Sequence, residues 1–271
     1  MDFENQKRPY CLRVDQLFVR HGMHCFRTVR KMLKNKNVTL NGKRIVDAGT
    51  LVDTRHDILC VDGEPVKMVP DLYFMMNKRQ GTVCTSSEGQ NTRIWVDVDP
   101  KYLHPDGLGK LHTVGRLDID TEGLLILTTD GLFSHRLTIP EFHVPKTYLV
   151  YLRDYCDEKK RQDYIETFAK GLYLEKEKHG AEFLSKPAEL IWLDEENEYC
   201  KLVSSNAKIF FNICLLTISE GKFHQVKRMF SAVGNEVIFL KRISIGNLKL
   251  DASLLPGQYR PLTDEELEGL V

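Results

Sequence analysis

HTVGRLDIDTEGLLILTTDG, residues 112–131, sets two carboxylates, Asp118 and Asp120, behind an arginine and directly ahead of the apolar run Leu124–Leu127. A short continuous apolar run bounded by polar turn residues reads as a fully buried strand. The D-x-D spacing of Asp118 and Asp120, followed by Thr121, is close to the D-x-D-x-T of phosphatase-type folds, but those folds carry their aspartates at the carboxyl end of a hydrophobic strand. Here the acids come first. A magnesium site on the same pair would lack a phosphate-cradling glycine loop. Asp120, two residues before Glu122-Gly123, fits a turn that satisfies backbone N–H groups. Asp118 differs through its company: Arg116 lies two residues before it, and Lys227 and Arg228 can supply further cations. These would hold a buried carboxylate ionised where burial alone favours the neutral acid.

Outward from this stretch, 72–78 (LYFMMNK) reads as a strand, 146–152 (KTYLVYL) as an alternating strand, and AELIWL and CLLTISE as two more. Cys156 to Lys170 reads as an amphipathic helix. HQVKRMFSAVG carries Val226, Met229, Phe230 and Val233 on one side and closes at Gly234. Thr263 and Glu266 fit a capping box for a last short helix. Strands outnumber helices without βαβ alternation, so the expected class is α+β with a mixed, largely antiparallel sheet.

The N-terminal part has a different texture. Residues 12–33 have near-helical apolar spacing broken at Gly22, and the following segment alternates apolar and polar residues around Asn41-Gly42 and Asp62-Gly63, both hairpin turn pairs. Two helices and a small meander make a unit of about 50 residues, near the lower limit for an independent fold. Between Lys7 and Val46 the basic residues are Lys7, Arg8, Arg13, Arg20, Arg27, Arg30, Lys31, Lys34, Lys36, Lys43 and Arg44, against the single acid Asp15. Arg27, Arg30, Lys31 and Lys34 recur three and four apart and line one helix face. Same-sign neighbours there repel, a cost better borne where a polyanion neutralises them. Acids gather instead at Asp194–Glu198 and Asp264–Glu268. EPVKMVP, with two prolines and no periodicity, reads as the linker.

The whole chain, 271 residues with 42% hydrophobic and 28% charged residues, suits two globular domains rather than disorder. The polar N-terminus and the lack of a long apolar run predict neither signal peptide nor membrane anchor, hence a cytoplasmic protein. Seven cysteines without a C-x-x-C pair (Cys11, Cys25, Cys60, Cys84, Cys156, Cys200 and Cys214) argue against a disulfide framework and a zinc ribbon, and read as mostly buried thiols. His112 and His135 lack metal-ligand spacing. No feature asks for a metal, a cofactor or more than a monomer.

RVDQLFVRHGMHCFRTVRKMLKNKNVTLNGKRIVDAG resembles an S4 RNA-binding domain. GRLDIDTEGLLILTTDG, KTYLV and EGKFHQVKRMFSAVG resemble the three motifs of the bacterial ribosomal pseudouridine synthases that carry such a domain, a match running from about residue 12 to 264. Within that family the chain is most similar to the branch that acts on the small subunit, through SKPAEL and LDASLLPGQYRPLT. The resemblance implies an S4-like domain at 11–64, a linker at 65–70 and a catalytic domain at 71–271. It implies an isomerase that converts one uridine of 16S rRNA, at position 516, to pseudouridine. The N1–C1′ bond breaks, the uracil turns, and it rejoins through C5.

Residue by residue, the catalytic aspartate closing G-R-L-D falls on Asp118. It would trap charge at C1′ or act as a base, two routes the residues leave open. Tyr148 of K-x-Y would lie against the extruded ring, and Lys227 would pair with Asp118, with Arg228 a candidate for the same role. Arg116, Arg228, Lys222 and His224 would bind substrate at the catalytic end, Lys222 and His224 meeting phosphates at a helix N-terminus. Arg27, Arg30, Lys31 and Lys34 would do so at the S4 end. In NKRQG, Arg79 replaces the family's usual proline, implying a less rigid turn. A large-subunit uridine as substrate, or a non-catalytic S4-type assembly protein, are the competing readings.

Overall fold

The Leu124–Leu127 run is apolar throughout because its strand is covered on both faces. The structure, a computed structural model, describes residues 10–20, 25–85, 89–105, 108–177, 180–194, 197, 199 and 212–270. Lys7, Arg8, Gly22, Cys200 and most of the acidic group from 194 to 198 lie outside the described residues.

The N-terminal part runs β1 (Cys11–Arg13), α1 (Val14–Arg20), α2 (Phe26–Asn35), β2 (Val38–Leu40), β3 (Lys43–Arg44), β4 (Leu51–Asp53), β5 (Leu59–Val61) and β6 (Glu64–Pro65). β1 pairs with β4, and the other four form an antiparallel sheet in the order β3-β2-β5-β6. Both anticipated hairpins form, with positive φ at both central residues: 50° and 79° at Asn41-Gly42, 53° and 89° at Asp62-Gly63. Leu17, Phe18, Val29, Leu33, Val38 and Val52 fill a core of this part's own. Burying each such side chain contributes about 1.5–3 kcal/mol. The expected linker at 65–70 is partly built into this layer. Pro65 lies in β6 opposite Cys60, and Val66 and Met68 pack on the same core, an ordering that two prolines in the sequence conceal.

The rest of the chain supplies β7 (Tyr73–Lys78), β8 (His112–Thr113), β9 (Glu122–Thr128), α3 (Gly131–Thr138), β10 (Lys146–Leu152), α4 (Glu158–Lys170), β11 (Tyr173–Leu174), β12 (Phe183–Leu184), β13 (Glu189–Trp192), β14 (Ile213–Ile218), α5 (Gln225–Ala232), β15 (Val237–Ile245), β16 (Leu248–Lys249), β17 (Tyr259–Pro261) and α6 (Asp264–Glu268). A nine-stranded sheet follows the order β13-β14-β10-β15-β9-β7-β17, with β16 on β15 and β8 on β9. Among the described strand pairs of this sheet only β9–β15 is parallel, so the α+β class with a mixed, largely antiparallel sheet holds.

Alternate residues of β7 and β9 feed two cores. Met76, Leu125 and Leu127 join Phe168 of α4 and Phe230 of α5 on one face, while Met75, Leu124 and Ile126 join Phe133 of α3 and Leu267 of α6 on the other. Asp130 caps α3 through the Leu132 and Phe133 N–H groups, and Thr263 and Glu266 form the expected capping box on α6. Arg20 of α1 reaches Asp71, just before β7, at 2.5 Å, and Arg55 reaches Asp264 at 2.8 Å, tying the two parts together. Of the described cysteines, Cys84, Cys156 and Cys214 are buried, Cys11 and Cys60 are half-buried and Cys25 is exposed, so fewer are buried than the mostly buried set expected. No described helix is long and apolar enough to cross a membrane.

Candidate active site

Gly123 is why the polar turn can sit against the sheet. β9 runs parallel to β15 with Gly123 opposite Arg242. A Cβ at Gly123 would lie 2.2 Å from the Arg242 carbonyl oxygen, and its φ is +104°, so only glycine fits. The turn preceding it, 118–121, is held from below by Lys78 at the end of β7. Its ammonium is fully buried and donates to the carbonyls of Arg79, Asp118 and Thr121 at 3.1, 2.9 and 2.8 Å. Burial pushes this lysine below its usual range. The Gly81 N–H donates to the Ile119 carbonyl at 2.7 Å. The N-K-x-x-G pattern is thus a cradle for the aspartate turn, a role that spacing alone does not reveal. Arg79 is tied to the neighbouring segment, its Nε 2.8 Å from Asp97.

Above the cradle the Asp118 carboxylate faces a cleft of about 1040 Å³ of open space, lined among others by Arg116, Lys146, Tyr148, Lys222, Lys227 and Arg242. Lys227, on the cleft face of α5, lies 3.2 Å from Asp118 and 2.5 Å from Asp120, so one ammonium serves both acids. This corrects the reading of Asp120 as a turn cap. Although burial acts the other way, the Lys227 hydrogen bond holds the Asp120 carboxyl below the usual range. Asp118 is also less buried than expected, its side chain remaining 29% exposed where the cleft opens.

Tyr148 is 7% exposed and lies in the cleft wall on β10. The structure therefore brings Asp118, Tyr148 and Lys227 to one cleft from three distant segments. Arg116 lies at the mouth, exposed, with no ion pair among the described residues. His224 takes a left-handed φ of 49° ahead of α5, stacks on Phe223 and places Nε2 3.6 Å from Asp118. Its neighbour is thus the carboxylate, which adds to the phosphate role expected from the helix N-terminus. Lys222 lies over the Phe183 ring at 3.8 Å and 3.4 Å from the buried Glu220.

Arg228 does not join them. It is 4% exposed and turns away from the cleft, donating through Nη2 to the carbonyls of Glu175 at 2.5 Å and Ala181 at 2.8 Å. Consecutive helical residues project about 100° apart, and the step from Lys227 to Arg228 carries the side chain from the cleft to the β11–β12 hairpin. Arg228 secures that hairpin, and neither substitution for Lys227 nor substrate contact is open to it. Arg27, Arg30, Lys31 and Lys34 stand far down the chain from this cleft on the exposed face of α2, where with Phe26 they line a shallow depression. Lys146 and Arg242, which line the cleft beside Tyr148, have no counterpart in the sequence-based expectations. The signal for them was the period of two along β10, which puts Lys146 on the face of Tyr148.

A family profile described as RNA pseudouridylate synthase matches residues 72–232. Ribosomal small subunit pseudouridine synthase A of Haemophilus influenzae is 41% identical over 242 residues, covering 89% of this chain and 91% of that protein. The protein of the same name from Escherichia coli K12 is 40% identical over 240 residues, covering 88% and 91%. The uncharacterized RNA pseudouridine synthase YtzG of Bacillus subtilis is 38% identical over 256 residues, covering 94% and 97%. A crystal structure of a pseudouridylate synthase, 38% identical, aligns with a TM-score of 0.61 over 96% of this chain and 100% of that one.

Proposed function

The chain belongs to the RNA pseudouridylate synthase family, and from that membership we propose that it isomerises one uridine of 16S rRNA, position 516, in the cytoplasm, with Asp118 as the reacting carboxylate. The observation that carries this reading is the meeting of Asp118, Lys227 and Tyr148 in one open cleft. The isomerisation is redox-neutral and exchanges nothing with a second molecule. A carboxylate, a stacking ring and cations are therefore a chemically sufficient set.

The target nucleotide leaves its stack to enter the cleft, and Tyr148 replaces the lost stacking. Arg116 at the mouth holds the flanking backbone, with Lys222 and His224 contributing at the N-terminus of α5. Asp118 then acts at the sugar, trapping charge at C1′ or taking a proton, and both courses require its carboxylate form. Lys227 keeps that carboxylate oriented and offsets the repulsion of Asp120, 2.5 Å from the same ammonium. Residues 11–64 act as an S4-like RNA-binding unit, docking phosphates on Arg27, Arg30, Lys31 and Lys34 of α2.

The test is a map of ribosomal pseudouridine in a strain lacking the gene, complemented with wild-type chain or with Asp118→Asn. Loss of a single small-subunit pseudouridine, restored by wild type and not by Asp118→Asn, is expected. Loss of a large-subunit pseudouridine with the small subunit intact overturns the substrate assignment. An unchanged map, or full restoration by Asp118→Asn, overturns the enzymatic role.

A further inference from the structure

Lys146 opens β10 two residues before Tyr148, so the two side chains leave the same strand face. Arg242 is the cross-strand partner of Tyr148 on β15. Both cations line the cleft, and neither has an acid partner among the described residues. Lys146 Nζ donates only to the Val144 carbonyl at 2.8 Å. Arg242, 3% exposed, donates through Nε to the Leu124 carbonyl at 2.7 Å, and its Nη2 is buried with no partner. Burial and the Arg242 charge together push Lys146 down to about 8.

Elsewhere buried cations have more acceptors: Lys78 has three carbonyls, and Arg228 has as many together with the Glu177 carboxylate at 4.0 Å, although its Nε too lacks a hydrogen bond. Two adjacent cations with an unfilled donor are costly in the free protein. The cost is recovered when a ligand brings negative charge to that spot.

The isomerisation itself generates such a charge. When the N1–C1′ bond breaks, the bonding pair leaves with the uracil and spreads onto O2 and O4, whether the sugar is trapped by the carboxylate or loses a proton. The ring stays anionic while it turns. Attack of C5 on C1′ consumes the pair and either releases the trapped carboxylate or is accompanied by return of the sugar's proton, after which C5 gives up its proton and N1 takes one. Resting on the function proposed above, we propose that Lys146 and Arg242 form the site that stabilises the departing uracil anion beside Tyr148, while Lys227 serves Asp118.

The experiment compares full-length wild type, Lys146→Gln, Arg242→Gln and Arg242→Lys in single-turnover reactions at saturating small-subunit rRNA, with RNA affinity measured across a salt series. Each Gln variant is expected to lower the rate constant about 100-fold, with affinity and salt slope unchanged and Arg242→Lys retaining more activity than Arg242→Gln. With 5-fluorouridine at the target, whose ring leaves more readily, the deficit in consumption of the nucleotide should shrink severalfold, which a packing defect would not produce. Arg242→Gln also loses the bond to Leu124, so Lys146→Gln, with its single carbonyl contact, stands as the independent variant.

Unchanged rates overturn the inference, as does a deficit equal for both nucleotides. Weakened affinity with a shallower salt slope overturns it in favour of a phosphate subsite. If wild type turns over the RNA and Asp118→Asn does not, the functional reading survives any of these failures. If wild type leaves every ribosomal uridine unchanged, both fall.

Discussion

Two groups of cations in this molecule are held in opposite ways. On α2, Arg27, Arg30, Lys31 and Lys34 are exposed and owe their alignment to helical spacing alone. In the catalytic part, Lys78, Lys227 and Arg242 are held by partners 40 to 118 residues away in sequence. The first arrangement suits phosphates, which need charge but no fixed angle. The second suits reacting atoms, which need donors already in place when charge develops. Local order is enough for binding, whereas chemistry draws on the whole sheet.

The sharpest test of that contrast is a pair of glycines. Gly123→Ala drives a Cβ into the Arg242 carbonyl at a φ of +104° and is expected to cost more than about 4 kcal/mol or prevent folding. Gly42→Ala meets nothing within 4 Å and should cost only about 1–2 kcal/mol for its left-handed φ. Denaturant unfolding of both variants measures the difference, and equal costs would break the comparison.

Lys78→Met comes next, because it strands three carbonyls that the ammonium now satisfies. We expect a loss of about 3 kcal/mol together with a steep loss of turnover as the Asp118 turn slackens. A variant that lost stability but turned over normally would show that the cradle does not position the carboxylate.

Lys146 gives a pH signature. Its folded value, about 8, lies below the ordinary 10.5 of the unfolded chain. The folded state therefore carries a penalty that is fully present below pH 8 and relieved as pH rises from 8 to 10.5. Relative to Lys146→Gln, wild-type stability should rise across that window by at most about 3 kcal/mol. Parallel stability curves for the two proteins would contradict a half-buried ammonium held beside Arg242.

On the N-terminal side, replacing Arg27, Arg30 and Lys34 with Gln should leave folding within about 0.5 kcal/mol. The log–log salt slope of RNA binding should flatten by about 2–3, one counterion released per charge. Single-turnover rate at saturating RNA should not change. A rate loss there would mean that the helix takes part in placing the target. Smallest of all, Arg79→Pro exchanges the Asp97 ion pair, partly open to solvent, for a fixed φ. Stability should shift by less than about 1 kcal/mol in either direction, as read by thermal unfolding.

The elements themselves were legible before the structure. Asn41-Gly42 and Asp62-Gly63 announce their hairpins because few residue pairs accept positive φ twice in succession. Leu124–Leu127 announces a strand covered on both faces. Asp118, Tyr148 and Lys227 were legible through motif resemblance. The misreadings share a cause. Arg228 and Lys227 are adjacent in sequence, and only the packing of α5 against the β11–β12 hairpin decides which of them sees the cleft. Asp120 looked like a turn cap because its real partner lies 107 residues away. Val66 and Met68 looked like linker because the core they join is assembled elsewhere.

The sequence by itself determined what short-range sterics and periodicity can encode: turns, caps, strand and helix faces, a one-sided basic helix, and the residue types the chemistry needs. Tertiary structure decided which of those residues share a cleft, that Lys78 supports the aspartate turn, and that Lys146 and Arg242 line the cleft with Tyr148 without a counter-ion among the described residues. The physical reason is that charge and hydrogen-bond energies depend on separation in space and on burial, and both are settled only when β9 and β15 meet in their parallel pairing.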